Sequence, residues 1–531
     1  MDGDIIVLEF GGSVLRDRSD VPAAVHEIYR WYRAGWRVVA LVGRGGERCT
    51  TSWLRIELER AGIPARIIEA DDIELPAPAD YIGGLRTSLQ YTTVLVVSGL
   101  GCGRPGASPD QRSGTDFAAV YLANALGASR CRLLKDVDGV YESDPERVGA
   151  AALLQRFSAL GYADALELAT TPIHPKAVGL LNECSGRAEI ASLASPYESV
   201  IGRFDRTPAQ HVAMSPTTVL ILGLDDLGAS IYERIAAMRE HFHVVGIFDP
   251  DGTRRADVSD AAPLLESADT AMSQHPDIVL DTLHDLEPAY SLDSHFLERG
   301  ASIVSANLAL VADAGRKLNT LAARHNTYLR YNAAVGGSAP MMEALRRESH
   351  LGDLQTIAAV FSGAASHILD RWSKGFAFQE LLLNASAELG ESAVHEELSG
   401  TRAARKLCVL ARHAFGRDPD AFRVEALDAE TLARARFSLA ANCALRLVAR
   451  AWKISHCVFG QLQLEALDTR DPLAQVQPEW NKLLVTHRGG RQVMAQGRDG
   501  RWPTTEALMA DLLDVRFARL ALSTPAARTV P

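Results

Sequence analysis

The sequence predicts an α/β protein built from parallel sheets in two successive parts. Three observations carry this. Short apolar runs of strand length (Ile5–Phe10, Arg37–Val42 and Val94–Ser98) each end in glycines, with helical stretches between them. Residues 218–230, TVLILGLDDLGAS, combine a buried strand, a glycine-punctuated turn and a helix start, the opening of a dinucleotide-binding βαβ unit. The length of 531 residues leaves room for about two to four domains, each with its own core.

Bulk properties remove several classes. The net charge of −11 argues against a nucleic-acid partner or an anionic membrane surface. The start, Met1-Asp2-Gly3-Asp4, runs into a strand without the basic and apolar regions of a signal peptide. No apolar run approaches the roughly 20 residues of a membrane span. Seven scattered cysteines with no CxxC pair fit reduced thiols, so a cytoplasmic location is expected. No set of His, Cys and acidic residues has metal-ligand spacing, and no metal site is expected.

In the first part, the strand Ile5–Phe10 opens into Gly11-Gly12-Ser13, which offers backbone N–H groups to an anion; a plain tight turn fits the same residues. Arg37–Val42 ends in Gly43-Arg44-Gly45-Gly46, and Val94–Ser98 in a loop carrying Gly99, Gly101, Gly103 and Gly106. Ligand sites in such sheets lie at the carboxyl ends of the strands. A helix from Asp116 follows, then a strand at 131–134, then Lys135, Asp136, Asp138 and Tyr141 on one turn. That set suits a nucleotide phosphate and its metal, and Gly139 and Pro145 suit an ordinary turn equally well.

Taken together, EFGGSVL at 9–15, RSGTD at 112–116, KDVDGVYESDP at 135–145 and IHPKAV at 173–178 resemble the amino-acid kinase superfamily. Their order and spacing resemble the catalytic domain of aspartate kinase. The resemblance implies ATP and Mg²⁺ as cofactors, aspartate as phosphoryl acceptor, and Gly11, Gly12, Ser13, Asp116, Lys135, Asp136, Asp138 and Tyr141 as nucleotide-binding residues. The sequence also departs from that family. Glu9 stands where the family has a lysine that neutralises the transferring phosphoryl group, an exchange expected to cost orders of magnitude in rate. Thr171 stands where the family has a lysine before His-Pro, and residues 43–48 replace its aspartate-receiving loop.

Residues 203–216 read as a linker, with no room for the regulatory ACT domains that usually follow an aspartate kinase domain. The second part begins at Thr217. Gly223 and Gly228 fill the outer places of the dinucleotide turn, but Asp225 takes the middle place, where the backbone approaches a pyrophosphate. A carboxylate about 4 Å from a phosphate charge costs roughly 4 kcal/mol at an effective dielectric of ~20. The next strand closes on Asp249, either an acid for a ribose hydroxyl or part of an Asp-Pro-Asp-Gly turn. Strands at 277–281 and 302–305 continue the parallel sheet, and residues 329–332 lead into Ala334-Val335-Gly336-Gly337, a glycine turn before a helix. The arginine-rich stretch 434–450 has apolar residues at helical spacing and is expected to be a helix with a solvated face.

SANLALV at 305–311, YNAAVGGSAPMMEALR at 331–346, FSGAASHIL at 361–369 and GESAVHEELSGTRAARKLCVLAR at 390–412 resemble homoserine dehydrogenase, in the version fused behind aspartate kinase in bifunctional enzymes. RDPLAQV at 470–476 and GRWPTTEALMADLLD at 500–514 resemble its closing segments. The resemblance implies reduction of aspartate semialdehyde with NAD(P)H. It places Gly223, Gly228, Asn307, Gly336, Gly337 and Gly500 at the cofactor, Lys406 and Glu391 in catalysis, and Glu396, Glu397 and Arg402 at the substrate. Here too there are exchanges. Leu308 follows Asn307 where the family has its catalytic lysine, Arg402 replaces an acid, and Arg498 and Asp499 intrude in the last glycine loop.

The expected architecture is an amino-acid-kinase-type parallel-sheet domain over 1–202, the linker, a Rossmann domain over 217–335 completed by 480–522, and an α+β substrate and dimerisation domain over 336–479, with a tail from 523. Homo-oligomerisation, as a dimer or tetramer, follows from the resemblance. Two functions stay open: a bifunctional aspartate kinase–homoserine dehydrogenase, or a silent or repurposed relative that binds, regulates or takes another acidic substrate.

Overall fold

The computed structural model describes residues 4–43, 49–70, 73–101, 114–143, 155–168, 170–210, 215–250, 262–352, 354–361, 363–438, 442–477 and 479–523. The chain divides into two compact units, Met1–Pro216 with Arg516–Pro531, and Thr217–Val515.

The first unit is built on one sheet of ten strands: β1 (Ile5–Phe10), β2 (Arg37–Val42), β3 (Ala65–Glu69), β4 (Val94–Ser98), β5 (Arg130–Leu134), β6 (Val140–Tyr141), β7 (Gln155–Gly161), β8 (Ala188–Ala191), β9 (Glu198–Gly202) and β10 (Thr207–Gln210). Their order is β3-β4-β2-β1-β5-β8-β9-β7-β10, with β6 also on β7. From β3 to β8 every pairing is parallel. Central β1 is buried on both faces, which its continuous apolar run anticipates, and brings Gly11–Ser13 to the carboxyl edge. The expected linker at 203–216 needs correcting. Thr207–Gln210 pairs antiparallel with β7 and is part of the sheet.

The second unit opens with six parallel strands, β11 (Thr217–Leu222), β12 (Phe242–Phe248), β13 (Leu264–Leu265), β14 (Ile278–Asp281), β15 (Ser302–Ser305) and β16 (Leu329–Arg330). Their order, β13-β12-β11-β14-β15-β16, is the doubly wound dinucleotide-binding order, with its switch point between β11 and β14. A second sheet follows from β17 (Leu354–Val360), β18 (Ala421–Val424), β19 (Cys443–Ile454), β20 (Cys457–Asp468), β21 (Trp480–His487) and β22 (Gln492–Arg498), ordered β18-β20-β19-β17-β21-β22. It is antiparallel except for the β18–β20 edge. The helix Thr401–Phe415 packs on β17, β19 and β20, and one apolar core runs from Leu220 and Leu222 through Leu407 and Leu410 to Val485.

Two more expectations change. Residues 480–498 are strands of this second sheet and do not complete the Rossmann sheet. The helix Arg501–Ser523 that follows them does return to it, where Arg234 lies 3.6 Å from Glu506. The stretch 434–450 is not one helix: a helix ends at Ser438 and β19 begins at Cys443. Leu, Ala and Arg favour helices locally, but Leu445, Leu447 and Ala449 alternate onto the core face once β19 pairs with β20. Arg446 is buried against Asp370 at 2.6 Å and is not solvated. Among the described residues no helix is long and apolar enough to cross a membrane.

Candidate functional site

At the carboxyl edge of the first sheet, the end of β1 meets the end of β5. Glu9 is fully buried; Thr115 Oγ1 donates to it at 2.6 Å and Lys135 Nζ lies 3.1 Å away. Lys135 also reaches Asp116 at 2.5 Å, and the other oxygen of Asp116 accepts from the backbone N–H of His174 at 2.9 Å. That N–H stands at the start of the helix Pro175–Cys184, so the HPK turn is tied to the same cluster. Burial pushes the Glu9 carboxyl up, against the pull of Lys135. Burial works against the Lys135 ammonium, but Glu9 and Asp116 outweigh it and hold the proton on. Lys135, just past the end of β5, is thus neutralised by two carboxylates. Tyr141 donates to Asp138 at 2.5 Å, Ser195 donates to the other Asp138 oxygen at 3.3 Å, and Asp136 is exposed. Gly12 and Ser13 are exposed, and nothing lies within 4 Å of the place a Cβ would take on Gly12. Arg112 and the loop at 44–48 fall outside the described residues.

In the second unit, the turn after β11 keeps the close packing of a phosphate turn at both outer glycines. Gly223 has φ +92°, and a Cβ there would lie 2.7 Å from Thr282 Oγ1. A Cβ on Gly228 would lie 2.3 Å from the Gly223 carbonyl oxygen. Asp225 caps the helix Asp226–Ala236, with Oδ1 accepting from Leu227 N at 3.1 Å and Gly228 N at 2.8 Å. Its Oδ2 pairs with His284 Nε2 at 3.1 Å, a residue that sequence reasoning missed. Burial raises the Asp225 carboxyl, but His284 and the two N–H groups outweigh it and bring it below the usual range. The bond to Asp225 raises His284 in turn, against partial burial and the nearby Arg402. Asp249 accepts from Leu224 N at 3.3 Å, which ties it to the turn itself.

In the same unit, Lys406 is buried on the helix Thr401–Phe415 and donates to Asp499 Oδ2 at 2.9 Å, with the Phe361 ring 5.8 Å away. Asp499 is positioned by a tight joint. Gly337, at φ +59°, lies against the backbone of 498–499, and Ser338 exchanges two 3.0 Å hydrogen bonds with Arg498. Gly500, at φ +110°, donates its N–H to Asp499 Oδ1 at 2.9 Å. Burial raises the Asp499 carboxyl, but Lys406 and Arg402 outweigh it and hold it far below the usual range. Arg402 pairs with Glu397 at 3.2 Å. Glu391 and Glu396 are exposed on the helix Glu391–Leu398; among the described residues, Glu397 is the acid of that helix joined to the cluster by an ion pair. Asn307 caps the helix Leu308–Arg324 through Leu310 N at 3.0 Å, and Leu308 packs into the core.

The comparisons agree with this division. Residues 40–192 match the amino acid kinase family, and residues 340–513 match homoserine dehydrogenase. The homoserine dehydrogenase of Synechocystis sp. is 30% identical over 257 residues, 46% of this chain and 59% of that protein. That of Lactococcus lactis is 24% identical over 243 residues, 45% of this chain and 57% of that protein. The chain thus spans less than two thirds of the length of these two curated relatives. A homoserine dehydrogenase structure from Thiobacillus denitrificans shares the fold at a TM-score of 0.53 and 24% identity, covering 60% of this chain and 77% of that one.

Proposed function

We propose, for a chain that joins an amino acid kinase segment to a homoserine dehydrogenase segment, an aspartate-kinase–homoserine-dehydrogenase relative of amino-acid metabolism whose two ordinary reactions are suppressed, so that it binds, regulates or takes another acidic substrate. One observation carries the proposal: the charges that replace the family's residues are already paired within the chain. Glu9 is held by Lys135 and Thr115, Asp225 by the helix N–H groups and His284, Arg402 by Glu397, and the intruding Asp499 by Lys406. A phosphoryl or carbonyl oxygen arriving at these places must compete with a carboxylate already seated there.

The two cofactors fare differently. The exposed Gly12 and Ser13 leave room for an ATP phosphate, beside the Glu9 carboxylate that closes in on Gly11, with Asp136 and Asp138 as the oxygen ligands for its Mg²⁺. Bound ATP would supply the transferable phosphoryl group. The protein's own part is to position it, but the cation at Lys135 is neutralised twice over. The dinucleotide turn does not fit a pyrophosphate as it stands, because Asp225 holds its N–H donors. A cytoplasmic location and a homo-oligomer belong to the same proposal.

The test is two assays on pure protein: ADP release with ATP, Mg²⁺ and aspartate, and NADPH oxidation with aspartate semialdehyde. Robust turnover in either would overturn the proposal. A second reading, retained carbonyl reduction, is supported by Lys406, a buried ammonium able to give a proton to a developing alkoxide once Asp499 is displaced.

A further inference from the structure

We propose that Asp225 is a built-in occupant of the dinucleotide turn, seated on the backbone N–H groups that a cofactor pyrophosphate would use, and that it shuts NAD and NADP out of the second unit. The inference rests on the doubly wound fold and on this turn; kinase turnover in the first unit does not enter it, whereas NADPH-dependent turnover in the second would overturn it. In this fold the pyrophosphate lies at the N-terminus of the first helix, over a turn that only small residues can form.

The turn here is intact except at that one position. Gly223 and Gly228 make contacts that any Cβ would break, so the turn packs closely against Thr282. The helix it opens, Asp226–Ala236, presents its positive end to the turn. That end already holds an anion. Asp225 Oδ1 takes both Leu227 N and Gly228 N, and Oδ2 is held by His284. A third turn N–H, that of Leu224, is taken by Asp249.

Three donors of the turn are therefore satisfied by two carboxylates of the chain itself. An incoming pyrophosphate would have to displace a tethered group that is always present at high effective concentration. It would then lie beside the displaced carboxylate in a partly buried site, where like charges repel more strongly than in water.

The experiment is titration of the intact protein with NADH and NADPH, followed by nicotinamide fluorescence and by calorimetry. Wild type is compared with Asp225→Gly and Asp225→Ser. Glycine removes the occupant. Serine removes the charge while keeping a hydroxyl cap for the helix, which guards against a variant that fails to fold; circular dichroism and melting check both. Wild type should remain unsaturated at millimolar cofactor, and both variants should bind at least about tenfold more tightly. Micromolar binding by wild type would overturn the inference, and so would folded variants that bind no better than wild type. The assays of the preceding proposal fail separately. A wild type that binds NADPH without turnover sinks this inference and leaves that proposal standing.

Discussion

Lys135 holds two buried carboxylates at once, Glu9 at 3.1 Å and Asp116 at 2.5 Å. Burying such a set gives little net stability, because desolvation offsets the attraction, but removing one partner strands the others and costs about 3–5 kcal/mol. Lys135→Ala is expected to destabilise the first unit by about that amount in urea denaturation, and Glu9→Gln by clearly less, because Lys135 keeps Asp116. Equal losses would mean that the ammonium is not what holds the cluster. Asp281 and Asp293 make a second residue-level case. Both are fully buried; Asp281 accepts from Ser305 Oγ at 2.7 Å and Leu283 N at 2.9 Å, whereas neither carboxyl oxygen of Asp293 has a hydrogen-bond partner among the described residues. Burial pushes Asp281 up to about 6, and burial together with Asp281 pushes Asp293 well above the usual range. The folded protein thus keeps protons that the unfolded chain releases near pH ~4. The stability this pair contributes is fully present below about pH 4 and is lost as the pH rises through about 6 for Asp281, and higher for Asp293. Asp293→Asn cannot ionise there, so its melting temperature should fall less than that of wild type between mildly acidic and mildly alkaline buffer. A parallel fall in both proteins would remove Asp293 from the account.

At the scale of elements, the joint between residues 336–339 and the end of β22 decides where Asp499 can reach. A Cβ on Gly337 would lie 2.5 Å from the Arg498 carbonyl oxygen, and its φ of +59° disfavours other residues. On the strand side, a Cβ on Gly497 would lie 2.3 Å from Ala339 N. Gly337→Ala is therefore expected to cost about 1–3 kcal/mol of second-unit stability, through overpacking and backbone strain. Denaturant melts would measure it, and an unchanged midpoint would show that the joint yields freely. Elements of this kind differ in how far the sequence reveals them. The glycine-ended strands β1, β2 and β4 and the turn at Gly223 were legible because each signal is local: an apolar run, then residues that tolerate close backbone approach. β10 and β19 were not. Thr207–Gln210 is a short edge strand, and the Leu-Ala-Arg run of β19 suits a helix until pairing with β20 settles it. The exchanged residues at 9, 225, 308 and 402 were visible one at a time, but their partners were not. Glu9 meets Lys135 across 126 positions and Lys406 meets Asp499 across 93, separations that no local pattern encodes.

At the scale of the whole molecule, the last helix, Arg501–Ser523, belongs to both units, which divide between Val515 and Arg516. Up to Val515 it serves the second unit: Asp511 accepts from the backbone N–H of Asn332 at 3.0 Å, and Glu506 lies 3.6 Å from Arg234. From Arg516 onward it serves the first. Arg516 is fully buried, and the guanidinium of Arg30, on the helix Val21–Arg33, lies 5.0 Å from the centre of the Phe517 ring. A domain boundary drawn at Pro216 from sequence order alone would thus omit a structural piece of the first unit that comes from the far end of the chain. Truncation after Val515 tests this directly. It removes Arg516 and Phe517 and leaves the Asp511 and Glu506 contacts of the second unit in place. Arg516 is fully buried and Phe517 half-buried; removing both is expected to cost the first unit a few kcal/mol, less than the roughly 3–5 of an aromatic deleted from a core. Calorimetry of the truncated chain should show the first-unit transition shifted down while the second-unit transition stays within about a degree or two, since the two units have separate cores. ATP identifies the first-unit transition if it binds there, because a ligand stabilises only the unit that holds it. If both transitions moved together, the units would be thermodynamically one body. If neither moved, Arg516 and Phe517 would be passengers despite the burial of the one and the ring contact of the other, and the first unit would be complete at Pro216.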